Sequence, residues 1–393
     1  MDKKWVQVWG QAHSALSFFY YPSCKKTYRL VVKAPLSGSQ VRFELSNECA
    51  KENVLIGALS VAKCDENGNI LGEAKRVTVK GQGGFWLLKG QVCITDPVKL
   101  NLAVNEYFCI NVYVKKGTLR SGNLIDDVKL ITTKGNHVNT KAANDQNRIR
   151  DSVRKVASKV LGMYFHKPIP LFQSVQVLNN TMSSSIVVYG DSISQQGYWT
   201  NMFNNRIRNE FSGKYSVINK SIMGNRVMLD FSRRFICKGL FGISAINRLE
   251  RDILNYPDVE YVVFALGTND FLQYGTITTP KSEKPVVKEV FDTVVKITKK
   301  LNEHGIKVIV FNILNFGECI DSRPEKEKMV HEYNKLLQEN KSLFHAVYDQ
   351  ASLCVNPEKP TCSRLEYLGG DKLHPNMAGG KIVADSIDLN WFR

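Results

Sequence analysis

Four short segments hold the residue types that hydrolytic chemistry uses. Gly190-Asp191-Ser192 closes one apolar run, Gly224-Asn225 follows the next, Gly267-Thr268-Asn269-Asp270 closes a third, and Asp371-Lys372-Leu373-His374-Pro375 comes after a Gly-Gly pair late in the chain. A serine hydroxyl becomes a useful nucleophile when a base removes its proton. Imidazole is the base suited to neutral pH. Asp371 stands three residues before His374, so the two can meet on one tight turn, where a carboxylate would hold the imidazole tautomer and stabilise its charged form. Acyl transfer also develops an oxyanion, which needs preformed donors. The Ser192 backbone N–H is one candidate. Gly224, where no side chain blocks approach, and the Asn269 amide are two others. Each segment alone has an ordinary reading. A serine after a strand is commonly a helix cap, Gly-x-Asn is a common turn, and Asp-x-x-His can be a surface pair. Together they supply a nucleophile, a base, a carboxylate to orient it and oxyanion donors.

These residues need a sheet edge to bring them together, and the pattern of the C-terminal half predicts one. From Ser185 the runs SIVVYG, KYSVINKSI, VEYVVFALG, IKVIVFNIL and FHAVYDQ read as buried strands. They are apolar throughout, as expected where both faces are covered. Helical stretches alternate with them: YWTNMFNNRIRNEF, AINRLERDILNY, VVKEVFDTVVKITKKLNEHG, PEKEKMVHEYNKLLQEN and MAGGKIVADSI. About five strand–helix alternations predict an α/β fold with a doubly wound parallel sheet and helices on both faces. Ligands in such sheets sit beyond the carboxyl ends of the strands, where all four segments fall.

The N-terminal part reads differently. Short runs such as YRLVVKAP, VRFELS, VLIGALSVAKC, GFWLLKG, YFCINVYVKK and VKLITT are separated by Gly, Asn, Asp or Pro clusters. They predict an all-β sandwich, jelly-roll-like, over residues 1–135. Residues 136–184 read as a connector, with a helix around DSVRKVASKVLGMYF and a Pro-containing linker over 167–184. Residues 185–393 form the catalytic unit in this division.

The segments SIVVYGDSIS, SIMGNRV, VVFALGTNDF and GDKLHPNMAGGKIVADSI resemble, in order, the four signature blocks of the SGNH hydrolases, also called GDSL esterases/lipases. The resemblance covers most of residues 185–393. It implies an SGNH-type fold with Ser192 as nucleophile and oxyanion donor, Gly224 and Asn269 as further oxyanion donors, His374 as base and Asp371 as its partner. Ser194, Gln195 and Gln196 stand where many relatives carry a Thr and an acidic residue, a change expected at the pocket rim. FGISAINRLERDIL and the N-terminal strands also resemble a two-domain subgroup in which a β-sandwich precedes the hydrolase. That implies a serine esterase for short acyl groups, acetyl first, on carbohydrates. A lysophospholipase or thioesterase of the same family, or a carbohydrate-binding protein on an inactive scaffold, are the alternatives. Tyr198 and Trp199 offer rings to stack on a sugar or an acyl group, with packing of the first helix as the other reading. Arg226 reads as a surface residue, with contact to a substrate as the other reading, and Cys237 as a lid residue at most.

The chain has 393 residues, with 53 Lys+Arg against 37 Asp+Glu, a formal net charge of +16. The excess lies in residues 1–184, at +13, against +3 in residues 185–393. Such a balance suits an acidic partner, but the cations are spread along strands rather than gathered on one stripe with aromatics, so no nucleic-acid partner is expected. The nine cysteines form no Cys-x-x-Cys pair, which points to reduced thiols. The histidines are scattered, and no metal or organic cofactor is called for. With no secretory signal pattern and no apolar run of spanning length, a cytoplasmic protein without a membrane span is expected. The resemblance implies a small or oligosaccharide ester as substrate, with the oligomeric state left open.

Overall fold

The computed structural model describes residues 3–16, 24–125, 127–146, 167–180, 182–230 and 239–393. The predicted helix around residues 151–165 and Cys237 lie outside them. The chain divides into two compact units, residues 1–185 with 208–218, and residues 186–207 with 219–393.

The first unit is all-β among its described residues up to 180. One sheet has the order Lys3–Gly10, Phe172–Asn180, Gly38–Ser46, Val92–Ile94, with Val98–Leu102 also paired to Gly38–Ser46. A second runs Lys129–Lys134, Lys26–Lys33, Tyr107–Lys116, Val54–Lys63, Lys75–Arg76. Period-two alternation explains why they face each other. Phe108, Ile110, Val112 and Val114 of one sheet and Val41, Phe43, Val175 and Val177 of the other are all buried in a single core.

The connector is where the sequence reading needs correcting. Residues 168–170 and 172–180 are strands, and Phe172–Asn180 lies in the middle of its sheet, antiparallel to both Lys3–Gly10 and Gly38–Ser46. Pro168 and Pro170 suggest a linker, yet they sit in a short strand, Pro168–Pro170, at the edge of a three-stranded sheet, where a missing N–H costs no central ladder bond. Residues 136–146 also belong to the β unit. The Val138 carbonyl accepts from the Ser60 hydroxyl at 2.5 Å, and the Gln146 N–H donates to the Thr132 carbonyl at 3.0 Å. Buried Arg29 donates to Asn111 Oδ1 at 2.6 Å and to the carbonyls of Gly68 at 2.7 Å and Thr140 at 2.6 Å.

The α/β part follows the predicted order closely. Its five-stranded sheet runs Tyr215–Asn219, Ser184–Gly190, Val259–Ala265, Lys307–Phe311, Ala346–Tyr348. The last two pairings are parallel. Every residue of Ser184–Gly190 is buried, which accounts for its unbroken apolar run. The helices that correspond to the predicted stretches are Tyr198–Glu210, Ala245–Leu249 continuing into a π turn over Glu250–Leu254, Val287–Glu303, Pro324–Glu339 and Met377–Asp385, and short helices over Thr268–Leu272 and Gln350–Cys354 add to them. Val287, Val290, Phe291, Val294, Ile297 and Leu301 form the buried stripe of the longest. In this order Tyr215–Asn219 lies on one side of Ser184–Gly190 and the later strands on the other, so the strand order switches between Ser184–Gly190 and Val259–Ala265, the point where doubly wound sheets bind ligands.

Candidate active site

Ser192 starts the turn Ser192–Gln195 directly after the strand Ser184–Gly190. Asp191 caps that turn, its Oδ1 accepting from the Ile193 N–H at 3.0 Å. As the first residue of the turn, Ser192 has no acceptor for its own N–H within it. Its hydroxyl lies 2.7 Å from His374 Nε2. The other ring nitrogen, Nδ1, is 2.7 Å from Asp371 Oδ2. A carboxylate only accepts, so Nδ1 carries the hydrogen and Nε2 keeps a lone pair for the serine O–H. The arrangement can withdraw the serine proton.

The turn that holds His374 is built by Asp371 itself. Its Oδ1 accepts from the Leu373 and His374 backbone N–H groups, both at 3.0 Å, which leaves Oδ2 for the imidazole. Partial burial works against the charged carboxyl, but the His374 hydrogen bond and charge, with the two backbone donors, hold Asp371 down at about 2. Lys372 takes a left-handed backbone, φ 56°, between them, and its ammonium pairs with Glu318 at 3.1 Å. From the Ser192 side, Gln196 Nε2 donates to the Pro375 carbonyl at 3.1 Å. Ser194, Gln195 and Gln196 are all buried, so these departures from the family pattern lie beneath the surface and not on a pocket rim.

Gly224 lies on the loop after the strand Tyr215–Asn219, and Asn269 in the short helix Thr268–Leu272 that follows the strand Val259–Ala265. Gly224 has φ 67°, and a Cβ there would come within 2.4 Å of the Phe241 ring, so glycine is needed for both conformation and space. Asn269 Nδ2 is 3.2 Å from Asp191 Oδ2 and 3.1 Å from the Asn225 carbonyl. Donation to an oxyanion would therefore draw an Asn269 N–H away from one of these oxygens. Burial pushes the Asp191 carboxyl up to about 7, opposed by the Ile193 N–H, and burial pushes Asp270 up to about 6, opposed by the Val227 and Met228 N–H groups. For Gly224→Ala we expect kcat toward p-nitrophenyl acetate to fall by about 100-fold or more, the scale of a lost oxyanion donor, as measured by initial rates on purified protein.

Several residues here carry no sequence signal of their own. Arg248, fully buried, donates to Asn225 Oδ1 at 2.9 Å, the Lys220 carbonyl at 2.7 Å and the Gly190 carbonyl at 3.3 Å. Asp252, one helical turn on, neutralises it at 2.9 Å. Arg248 thus ties the ends of the first two strands from below. Only its i, i+4 spacing from Asp252 hints at this. Arg226 is buried, pairing with Glu283 at 2.7 Å, and is not the surface residue expected.

The two aromatic candidates separate. Trp199 is 1% exposed, with ring centroids 5.1 Å from Phe311 and 6.1 Å from Phe203. It belongs to the core and presents no face to a substrate, because its helix turns it toward the sheet. Trp199→Ala should cost about 3–5 kcal/mol of stability, measurable by urea unfolding. Tyr198 is half-buried at the head of the same helix, its Cβ against Gly380 of Met377–Asp385.

The comparisons decide the class. A match to the GDSL-like lipase/acylhydrolase family spans residues 188–382. It contains all five of the residues Ser192, Gly224, Asn269, Asp371 and His374. The chain carries a GDSL-like lipase/acylhydrolase domain. It is accordingly a hydrolase of ester bonds. Solved structures similar to this chain include the acetyl xylan esterase AlAXEase, at 21% identity over 51% of this chain and 96% of that one, TM-score 0.39. Others are a GDSL-like lipase from Bacteroides thetaiotaomicron, at 18% identity over 53% and 88%, TM-score 0.39, and the acetylxylan esterase Axe2 from Geobacillus stearothermophilus, at 15% identity over 55% and 99%, TM-score 0.39. No curated protein matches the sequence. Among the described residues no helix is long and apolar enough to cross a membrane, and no cluster of three or more His, Cys, Asp or Glu could hold a metal ion.

Proposed function

We propose that this GDSL-like hydrolase is a serine esterase that removes short acyl groups, acetyl first, from carbohydrate esters. Ser192 attacks the ester carbonyl while His374 Nε2 takes its proton, and Asp371 stabilises the imidazolium that results. The oxyanion is received by the N–H groups of Ser192 and Gly224 and by the Asn269 amide. The imidazolium then protonates the leaving alcohol, and water repeats the sequence on the acyl-enzyme to release the acid. The observation that carries this reading is the continuous pair of 2.7 Å contacts from Ser192 through His374 to Asp371. The acetyl preference is an inference from the two-domain resemblance and from relatives named as acetylxylan esterases.

Acetate release from acetylated xylan, mannan and pectin oligosaccharides tests the substrate class. At least one should yield acetate with catalytic turnover, and p-nitrophenyl esters should peak at two to four acyl carbons. Activity rising to eight or more carbons would instead assign the lysophospholipase or thioesterase reading.

A further inference from the structure

Gln273 lies four residues after Asn269, at the end of the short helix Thr268–Leu272. Its side-chain amide nitrogen donates to two acceptors, the Gly224 carbonyl and Asn269 Oδ1, each at 3.0 Å. The residue is 9% exposed. One amide group, with two hydrogens in a fixed plane, therefore links the Gly224 loop to the Asn269 helix, the two segments that carry proposed oxyanion donors.

The link matters because an asparagine amide is nearly symmetric in shape but opposite in chemistry at its two ends. With the nitrogen toward the Ser192 side, Asn269 can stabilise an oxyanion. Turned over, it presents an oxygen that repels one. What selects the orientation is the set of neighbours. The nitrogen end of Asn269 faces two acceptors, Asp191 Oδ2 and the Asn225 carbonyl. The oxygen end faces the Gln273 donor. The same donor group holds the Gly224 carbonyl, and with it the Gly224–Asn225 peptide that adjoins the Gly224 N–H. Gly224 itself is pinned sterically by Phe241 on one side and electrostatically by Gln273 on the other.

Resting on the esterase reading above, we propose that Gln273 is a positioning residue for the oxyanion site, holding Asn269 in its donating orientation and locking the Gly224 loop to it. It touches no substrate in this role. Its effect is realised in the transition state, when charge appears on the carbonyl oxygen, and so belongs in kcat rather than in substrate binding.

Gln273→Glu and Gln273→Met test this, each nearly isosteric with Gln. Ionised Glu cannot donate, and it sets a second acceptor against Asn269 Oδ1 and the Gly224 carbonyl. Met neither donates nor repels. Rates are taken per active serine, titrated with an organophosphate p-nitrophenyl ester, and thermal midpoints are recorded for each protein. With p-nitrophenyl acetate, Gln273→Met should lower kcat by about 10- to 100-fold, the scale on which displaced catalytic groups lose rate, with KM within about twofold. Gln273→Glu should be lower still, although its thermal midpoint stays near that of Gln273→Met. A kcat per active serine within threefold of the original in Gln273→Glu overturns the proposal, as does a loss carried by KM. A thermal midpoint that falls while kcat per active serine holds would reduce Gln273 to a structural cap. Ser192→Ala is run alongside: if that protein keeps full activity, the esterase site itself is misassigned and the role of Gln273 falls with it.

Discussion

Ser192→Ala should lower kcat toward p-nitrophenyl acetate by about 10⁶-fold, the loss measured when a serine nucleophile is removed from a comparable constellation. The expectation rests on geometry. Ser192 is half-buried at the start of the turn after the strand, and its hydroxyl is 2.7 Å from the nitrogen that would take its proton. In the variant, His374 keeps its Asp371 bond and has no hydroxyl to activate. Water can enter the vacated position, and the proposed oxyanion donors remain in place, so a residual rate about 10³-fold above that in water should survive. The fold should be unperturbed, since a surface-accessible hydroxyl is exchanged for a hydrogen. Single-turnover kinetics and a thermal scan on the same preparation check both halves. A kcat within tenfold of the original would remove Ser192 from the chemistry.

The second large effect is expected at Asp371. Its Oδ1 is committed to two backbone N–H groups and its Oδ2 to the imidazole. In Asp371→Asn the oxygen must stay with the backbone donors, so the NH₂ end faces His374 Nδ1. That nitrogen is then forced to accept, the hydrogen moves to Nε2, and the imidazole points an N–H at the serine it should deprotonate. The resulting loss in kcat should be about 10⁴-fold, while Asp371→Ala, which leaves the tautomer free, should not fall further. The carboxyl's low value, about 2, means that it remains charged across the working range. The stability that it contributes is complete above its ordinary value of 3.8 and is lost only as pH falls toward 2. The acid side of the activity profile should therefore not be set by Asp371.

The α/β half is legible in the sequence because its strands are buried on both faces and its helices carry a single stripe. Ser184–Gly190 and Val287–Glu303 could hardly read as anything else. The proposed reacting groups are legible for a different reason: each segment alone is ordinary turn chemistry, but four of them together supply a nucleophile, a base, a carboxylate and oxyanion donors in one order along the chain. The supporting residues are not. Gln196, Gln273 and Arg248 act through long polar side chains that reach across loops distant in sequence, and no local pattern marks the acceptor at the far end. Trp199 misleads in the opposite way, since an aromatic near a nucleophile reads equally as a platform or as core until its helix is rotated into place. Phe172–Asn180 escapes because the flanking prolines and the polar run after it carry linker chemistry, while its own alternation of Val175 and Val177 is too short to outweigh them.

That strand has a consequence for how the polypeptide is made. Phe172–Asn180 lies between Lys3–Gly10 and Gly38–Ser46, so the partners of one sheet are separated by most of the β unit's length in sequence. The neighbours on either side must wait, as the chain emerges from its N-terminus, with a gap between them and two rows of unpaired backbone groups. Closing that gap is a long-range event, slow by the usual dependence of rate on sequence separation. A protein truncated at residue 135, where the strand pattern of the sequence ends, would carry the gap permanently and should self-associate through it. The unit becomes complete only as translation reaches the threshold of the esterase domain.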